Sequence, residues 1–240
     1  MLPALVLLFV YTVLGIPAAL IGIPLTILSG DISAVYRWAM WIMHAGLRAA
    51  GIRIEVVRRA PLDPKTHYIF LSNHVSNLDP PVLLPLLPGR TSVFIKRSLT
   101  KLPVLGYGMK LGDFVPVDRD GRVESAKDSV AFAARVLASG VHITSFVEGT
   151  RSRDGRLLPF KKGPFYLAVE TGAPVVPVSI WGTEAMMKKG SVRIYPDTAH
   201  VTFHAPLDPK EYATREDLLA AVKNAIESGL PEWMWAEAAT

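Results

Sequence analysis

The sequence predicts an α/β protein, with a mixed, mostly parallel sheet covered by helices on both faces and a two-helix segment of different character in front of it. Three observations carry this. From Gly51 onward, strand-like and helix-like segments alternate, the pattern of a sheet with helices packed on both sides. Residues 2–28 contain no charged side chain. The whole chain has 240 residues, enough for one full hydrophobic core plus a short extension and too few for two ordinary domains. The expected division is therefore a helical hairpin over 1–50 and an α/β domain over 51–240.

The N-terminal segment has the composition of a membrane-associated one. A straight helix over residues 2–28 would be about 40 Å long, more than the ~30 Å hydrocarbon thickness of a bilayer. Pro17 and Pro24, with Gly15 and Gly22, interrupt the run and predict a kinked helix or one that enters the bilayer without crossing it cleanly. No basic residue precedes the apolar stretch and no small-residue cleavage site follows it, which argues against a cleaved signal. Ser29 to Ser33 form a turn. From Ala34 to Ala50 the helical repeat places Arg37, His44 and Arg48 on one stripe and Val35, Trp38, Ala39, Ile42, Ala45 and Ala49 on the apolar remainder. Trp38 and Trp41 suit the headgroup level. Such a helix lies in the interface with its basic stripe toward phosphates, or else packs on the protein core. The arginines that follow the uncharged run, Arg37, Arg48, Arg53, Arg58 and Arg59, place the rest of the chain on the cytoplasmic face of an inner (plasma) membrane by the positive-inside bias.

Beyond Gly51, strands are expected at 52–57, 68–71, 92–95, 114–117, 141–146, 175–180, 191–195 and 201–204, from alternating or short continuous apolar runs. Helices are expected at 80–87, with Asp79 as N-cap and Pro80 at the first helical position. Others are expected at 103–111, 123–138 (ending at Gly140), 163–170 (stopping near Gly172) and 215–228. His74 and Glu148 each follow an apolar strand, and sites in such sheets gather where strands end.

Composition excludes several functions. The chain has no cysteine, so disulfides, thiolate metal sites and a cysteine nucleophile are absent. A net charge of +5 fits nucleic acid, an anionic membrane or a phosphorylated substrate. No nucleic-acid recognition motif accompanies it, and with half the residues apolar a membrane surface and a phosphorylated substrate are favoured. Neither a Gly-x-Ser-x-Gly elbow nor a His-Glu-x-x-His zinc motif occurs, and the His200–His204 pair falls in an apparent strand, as an exposed strand face.

Two short segments carry chemistry. His74 and Asp79 are five apart, a spacing that joins them only if a helix begins at Asp79 and His74 lies in the turn before it. The carboxylate then fixes the imidazole tautomer and leaves the other ring nitrogen to take a proton. A turn histidine beside a plain helix cap is the competing reading. Without a protein nucleophile, such a pair points to direct attack by a substrate hydroxyl. In Glu148-Gly149-Thr150-Arg151, glycine permits a sharp turn after a strand. The arginine offers a bidentate grip on phosphate, and the glutamate either orients it or binds a hydroxyl. Arg153, Arg156, Lys161 and Lys162 follow, opposed by Asp154 alone; a solvated basic loop is the competing reading.

Four blocks in this order resemble the 1-acylglycerol-3-phosphate acyltransferases of the glycerolipid acyltransferase superfamily. They are Asn73-His74-x4-Asp79; Lys96, Leu99, Pro103 and Gly106 with Phe114 to Arg119; Phe146 to Ser152 continuing through Phe160-Lys161-Lys162-Gly163; and Val175 to Val178. The resemblance spans roughly residues 50–210. The family usually has proline before the glutamate, where this chain has Val147, and a small change in turn rigidity is expected. The resemblance implies that His74 is the general base oriented by Asp79, and that Arg119, Glu148, Gly149, Thr150 and Arg151 shape a glycerol-phosphate site. It further implies a membrane-bound enzyme that moves a fatty acyl chain from acyl-CoA or acyl-carrier protein to the 2-hydroxyl of 1-acyl-glycerol-3-phosphate (lysophosphatidic acid), giving phosphatidic acid, with no metal or cofactor. Its partners would be the lipid bilayer, a lysophospholipid acceptor and the acyl donor, with no nucleic acid. An ornithine lipid or another lysophospholipid is the alternative acceptor.

Overall fold

The computed structural model describes residues 1–118 and 123–236. Helix α1 (Leu2–Ser29) runs without a break through Pro17 and Pro24 and ends at Gly30 in the left-handed conformation. So neither proline ends the helix. It is long and apolar enough to cross a membrane, and only Gly22 and Thr26 along it are buried. Helix α2 (Ser33–Ala49) folds back antiparallel to it. Gly22 abuts Val35 and Gly46 abuts the Tyr11 ring, close approaches that a Cβ would obstruct. The Tyr11 hydroxyl donates to the Met43 carbonyl at 3.2 Å.

Helix α2 packs on the protein core through one face and leaves the other exposed. Ile42, Gly46 and Leu47 are buried, while Arg37, Trp38, Trp41 and Arg48 stay exposed and His44 is half-buried. Trp38 and Ala49, placed on the apolar side by the helical repeat, are in fact outside.

The remaining elements are β1 (Arg53–Arg58), β2 (Ile69–Ser72), α3 (Asp79–Leu83), β3 (Thr91–Lys96), α4 (Leu105–Leu111), β4 (Val115–Val117), α5 (Val123–Ala138), β5 (His142–Phe146), α6 (Gly163–Thr171), β6 (Val175–Trp181), α7 (Thr183–Met186), β7 (Thr198–Phe203) and α8 (Arg215–Glu227). The seven strands form one sheet in the order β1-β7-β6-β2-β5-β3-β4. All neighbours are parallel except β6 and β7, so β1 and β7 run opposite to the other five. Alternation along the strands divides the core in two. Ile69 and Leu71 face a layer built from α5, α6 and α8. Phe70, Val176, Val178 and Val93 face Leu47 of α2 and Val82 and Leu83 of α3, with Met109 of α4 packed alongside. Both faces are covered, as the sequence predicted.

Several local expectations are corrected. Asp79 is not the N-cap of its helix: Leu78 is, and Asp79 is the first helical residue. Its carboxylate turns back to the preceding loop instead. That helix is also shorter than expected, five residues followed by a 3-10 turn over Leu84–Leu86, because Pro85 limits its continuation. Pro103 does not open α4; a 3-10 turn over Arg97–Lys101 precedes it and the helix starts at Leu105. Residues 191–195 form no strand; only Ile194 among them is buried, which is too little apolar surface to seat a strand. His204 is buried and donates no face to solvent, its Nε2 lying 2.8 Å from Ser179 Oγ.

Gly182 turns the chain from β6 into α7 with φ of +90°, and a Cβ there would lie 2.5 Å from the Thr198 carbonyl oxygen. Both the left-handed backbone and the rigid neighbour penalise a side chain. Gly182→Ala is expected to cost on the order of 2–4 kcal/mol, measured as a lowered denaturation midpoint in detergent; an unchanged midpoint would mean the turn relaxes freely.

Candidate active site

Three neighbouring strands end side by side and each delivers one part of the site. After β2 comes the loop with Asn73 and His74, after β5 comes Glu148, and after β6 come Gly182 and Thr183. Asn73 locks the first loop to β6. Its Nδ2 donates to the Ile180 carbonyl and its Oδ1 accepts from the Ile180 N–H, both at 2.8 Å.

His74 Nδ1 lies 2.8 Å from Asp79 Oδ2. The same oxygen accepts from the backbone N–H of Val75 at 2.7 Å and of Ser76 at 2.8 Å. Oδ1 accepts from the Thr183 hydroxyl at 2.5 Å. Asp79 is fully buried, so these four donors stand in for water around its carboxylate. An acceptor facing Nδ1 places the imidazole proton there and leaves Nε2 with its lone pair. The His74 ring stacks on Phe146 with centroids 4.3 Å apart, and its side chain keeps 16% exposure. It is therefore fixed in place but still reachable. The two buried serines in the adjoining loops direct their hydroxyls elsewhere: Ser76 donates to the Met187 carbonyl and Ser152 to Asp154 Oδ1. Among the described residues, neither of these hydroxyls is bonded to the His74 ring.

Glu148 braces His74 from the other side. Its Oε1 accepts from the His74 backbone N–H at 2.7 Å and its Oε2 from the Leu158 N–H at 2.9 Å. The Ser152 N–H donates back to the His74 carbonyl at 3.0 Å. Burial pushes the Glu148 carboxyl up to about 7, against these N–H donors and with nearby Asp79 pushing the same way. Val147 is fully buried and its N–H donates to the Ser72 carbonyl at 2.9 Å, a bond a proline could not make. The departure from the family pattern thus adds a rung between β5 and the end of β2. Gly149 has φ of +67° and the Lys161 stem lies over it.

Of the residues singled out from the sequence, His74, Asp79, Glu148 and Gly149 come together around one loop. Arg151 is half-buried next to Ser152, and its carbonyl accepts from Lys189 Nζ at 2.6 Å. Thr150 is exposed beside it. Arg119 lies outside the described residues. Among the described residues no group of three His, Asp or Glu side chains could hold a metal ion. Sequence reasoning missed Thr183, Asn73 as a bracket, and Lys189. The signal for Thr183 was present: an apolar run ending in glycine, as at Phe146 to Gly149, followed by a hydroxyl.

A reachable histidine held by a buried carboxylate at the ends of parallel strands, beside a basic loop, suits transfer of a group to an incoming hydroxyl. The chain belongs to the acyltransferase family, whose description, Acyltransferase, matches residues 53–181. Its relatives include a chloroplastic 1-acyl-sn-glycerol-3-phosphate acyltransferase of Brassica napus, 40% identical over 64% of this chain and 43% of that protein. The human 1-acyl-sn-glycerol-3-phosphate acyltransferase alpha is 32% identical over 75% of this chain and 63% of its own length. The chain therefore spans about half the length of such relatives. Among solved structures, the 1-acyl-sn-glycerophosphate (LPA) acyltransferase PlsC of Thermotoga maritima superposes with a TM-score of 0.77 at 27% identity, covering 100% of this chain and 97% of that one.

Two expectations follow from this geometry. Thr183→Val leaves Asp79 Oδ1 without its donor, so kcat should fall about 10–100-fold, the rate equivalent of the ~1.5–3 kcal/mol of a hydrogen bond to a charged group. KM should stay near its original value and Thr183→Ser should restore the rate. Loss in both variants alike, or in KM alone, would deny Thr183 this positioning role.

The second concerns pH. A carboxyl raised from 4.5 to about 7 binds its proton more tightly in the folded state, so its stabilising contribution is complete below pH 4.5 and is lost as pH rises through 7. His142 and His204, both pushed down by burial to about 4, act with the opposite sign over roughly pH 4 to 6.5. The difference between the wild type and Glu148→Gln isolates the glutamate. Denaturant titrations from pH 4.5 to 7.5 should show the wild type losing ground relative to Glu148→Gln as pH rises; parallel curves would remove Glu148 from the balance.

Proposed function

We propose that the protein is a membrane-bound 1-acylglycerol-3-phosphate O-acyltransferase, which esterifies the 2-hydroxyl of lysophosphatidic acid to form phosphatidic acid in phospholipid biosynthesis. The observation that carries the reading is the braced His74–Asp79 pair, whose Nε2 meets no hydrogen-bond partner and no serine hydroxyl among the described residues. The activity for which the Brassica and human relatives and the Thermotoga protein are named supports it.

In this reading His74 Nε2 takes the proton of the acceptor hydroxyl as that oxygen attacks the carbonyl carbon of an acyl thioester. The tetrahedral intermediate collapses, the C–S bond breaks, and the imidazolium returns its proton to the departing thiolate. Asp79 keeps the ring in one tautomer and stabilises the imidazolium. Arg151, with Arg119 and the Glu148–Thr150 turn, forms the phosphate end of the acceptor site, where a guanidinium grips two oxygens. No metal or cofactor takes part; acyl-CoA or acyl-carrier protein brings the chain as co-substrate.

The hairpin of α1 and α2 over residues 1–50 is the membrane-associated unit, and residues 51–240 form the catalytic one. With Arg37, Arg48, Arg53, Arg58 and Arg59 following the uncharged run, the catalytic part faces the cytoplasm. Anchoring in the leaflet that holds the acceptor raises its local concentration.

The test is turnover of lysophosphatidic acid by the purified protein, with acyl-CoA and acyl-carrier protein as donors in parallel. General-base catalysis contributes about 10²–10⁴-fold, so His74→Ala should lower kcat by that factor while folding and membrane binding persist. A folded, fully active His74→Ala protein, or a wild type inert toward lysophosphatidic acid with both donors, would overturn the reading.

A further inference from the structure

A set of apolar side chains stands outside the core at the end of the sheet where His74 sits. Between β3 and α4 the chain makes its 3-10 turn over Arg97–Lys101, and beyond it Leu102, Val104 and Leu105 are 44%, 56% and 55% exposed. Val104 has φ of 60°, an unfavourable conformation for a β-branched residue. Lys96, Lys101 and Lys110 are exposed around this tip and make no ion pair with a described residue. Arg97 differs, being tied to Asp118 at 2.7 Å.

The position of this segment in the fold gives it a partner. Strand β3 lies next to β5 and β5 next to β2, so the segment leaves the sheet at the same end as Glu148 and His74. Helix α4 shares a face of the sheet with the N-terminal hairpin: Ala4 and Leu7 of α1, Met40 of α2 and Met109 of α4 pack on one core. The end of α2 reaches that same end of the sheet, because β1 runs opposite to β6 and begins where β6 finishes. The first turns of α1, which lie against the end of α2, are therefore there as well.

We propose that residues 99–107 are a second membrane contact, whose apolar tip enters the interface of an anionic bilayer and turns the active-site end of the sheet toward the lipid. The inference rests on the reading of α1 and α2 as membrane-bound and adds the orientation of the rest of the molecule. Apolar side chains flanked by exposed lysines match a lipid surface, where the tips enter the acyl boundary and the ammonium groups meet phosphates. Trp38, Trp41 and Arg37, exposed on α2, repeat the pattern in the same layer. Two contacts fix a tilt that one hairpin leaves free, and an acceptor hydroxyl at the interface then meets His74 without leaving the bilayer.

The absence of cysteine makes a site-specific test possible on the full chain. A fluorophore is attached at Leu102→Cys, at Leu20→Cys on α1, or at Glu211→Cys on the opposite end of the sheet. Each labelled protein is moved into phosphatidylcholine–phosphatidylglycerol vesicles carrying a nitroxide on the acyl chain. Quenching is expected at 20 and 102 and not at 211. Quenching at 20 alone overturns the inference and leaves the membrane reading standing; quenching at neither removes both; quenching at all three shows non-specific burial and also overturns it. In a second arm, Leu102→Asp with Leu105→Asp should lower kcat/KM about tenfold for a vesicle-borne acceptor and leave a short-chain, water-soluble acceptor unaffected. Equal loss on both would mark a local defect and defeat the proposal.

Discussion

The buried carboxylate of Asp79 is the constraint on which the site depends. Taking an ionised carboxylate out of water costs several kcal/mol unless donors replace the lost hydration. Here the replacement comes from the two backbone N–H groups of Val75 and Ser76, the His74 ring and the Thr183 hydroxyl. These donors come from the loop after β2 and from the helix after β6. Satisfying one carboxylate thus fixes the loop path, the His74 ring and the junction between two strand ends at once. Were the pair a plain turn and cap, the carboxylate would point into the first turn of α3. It points the other way.

Glu148 repeats the device from β5. It is almost wholly buried and gives both oxygens to backbone N–H groups, one of them belonging to His74. Two buried acids on either side of one histidine repel each other, which contributes to the raised proton affinity of Glu148, and Lys189 partly offsets this. The consequence is a division of labour within Glu148-Gly149-Thr150-Arg151. The glutamate belongs to the framework that holds the His74 loop, the glycine makes the turn, and the arginine gives its backbone carbonyl to Lys189.

The same layering ties chemistry to location. Leu47 of α2 is part of the core beneath Phe70 of β2, so the hairpin is seated on the sheet that carries His74. A hairpin on a flexible tether would have no fixed orientation to His74; one packed into the core holds a set orientation to the end of the sheet that carries it.

Much of this was legible in the chain itself. The alternation of short apolar runs with helical periodicity determined the α/β class, because burial on both faces of a sheet demands uninterrupted apolar strands. The span 123–138 was fixed by its period and by Gly140, whose φ is +90°. The uncharged first segment and the pairing of His74 with Asp79 were also local in origin. What needed the tertiary structure were the partners distant in sequence. Thr183 lies 104 residues from Asp79 and Leu158 ten from Glu148, and no local pattern says which donor will meet a buried acid. The reversed direction of β1 and β7 likewise depends on hydrogen bonding between β6 and β7, not on either strand's own residues. Sequence determined which segments bury and which residue types reach the strand ends; only the assembled sheet decided that Asp79 would serve as the hub for four donors, since that choice is made by the desolvation of one carboxylate among groups brought together by folding.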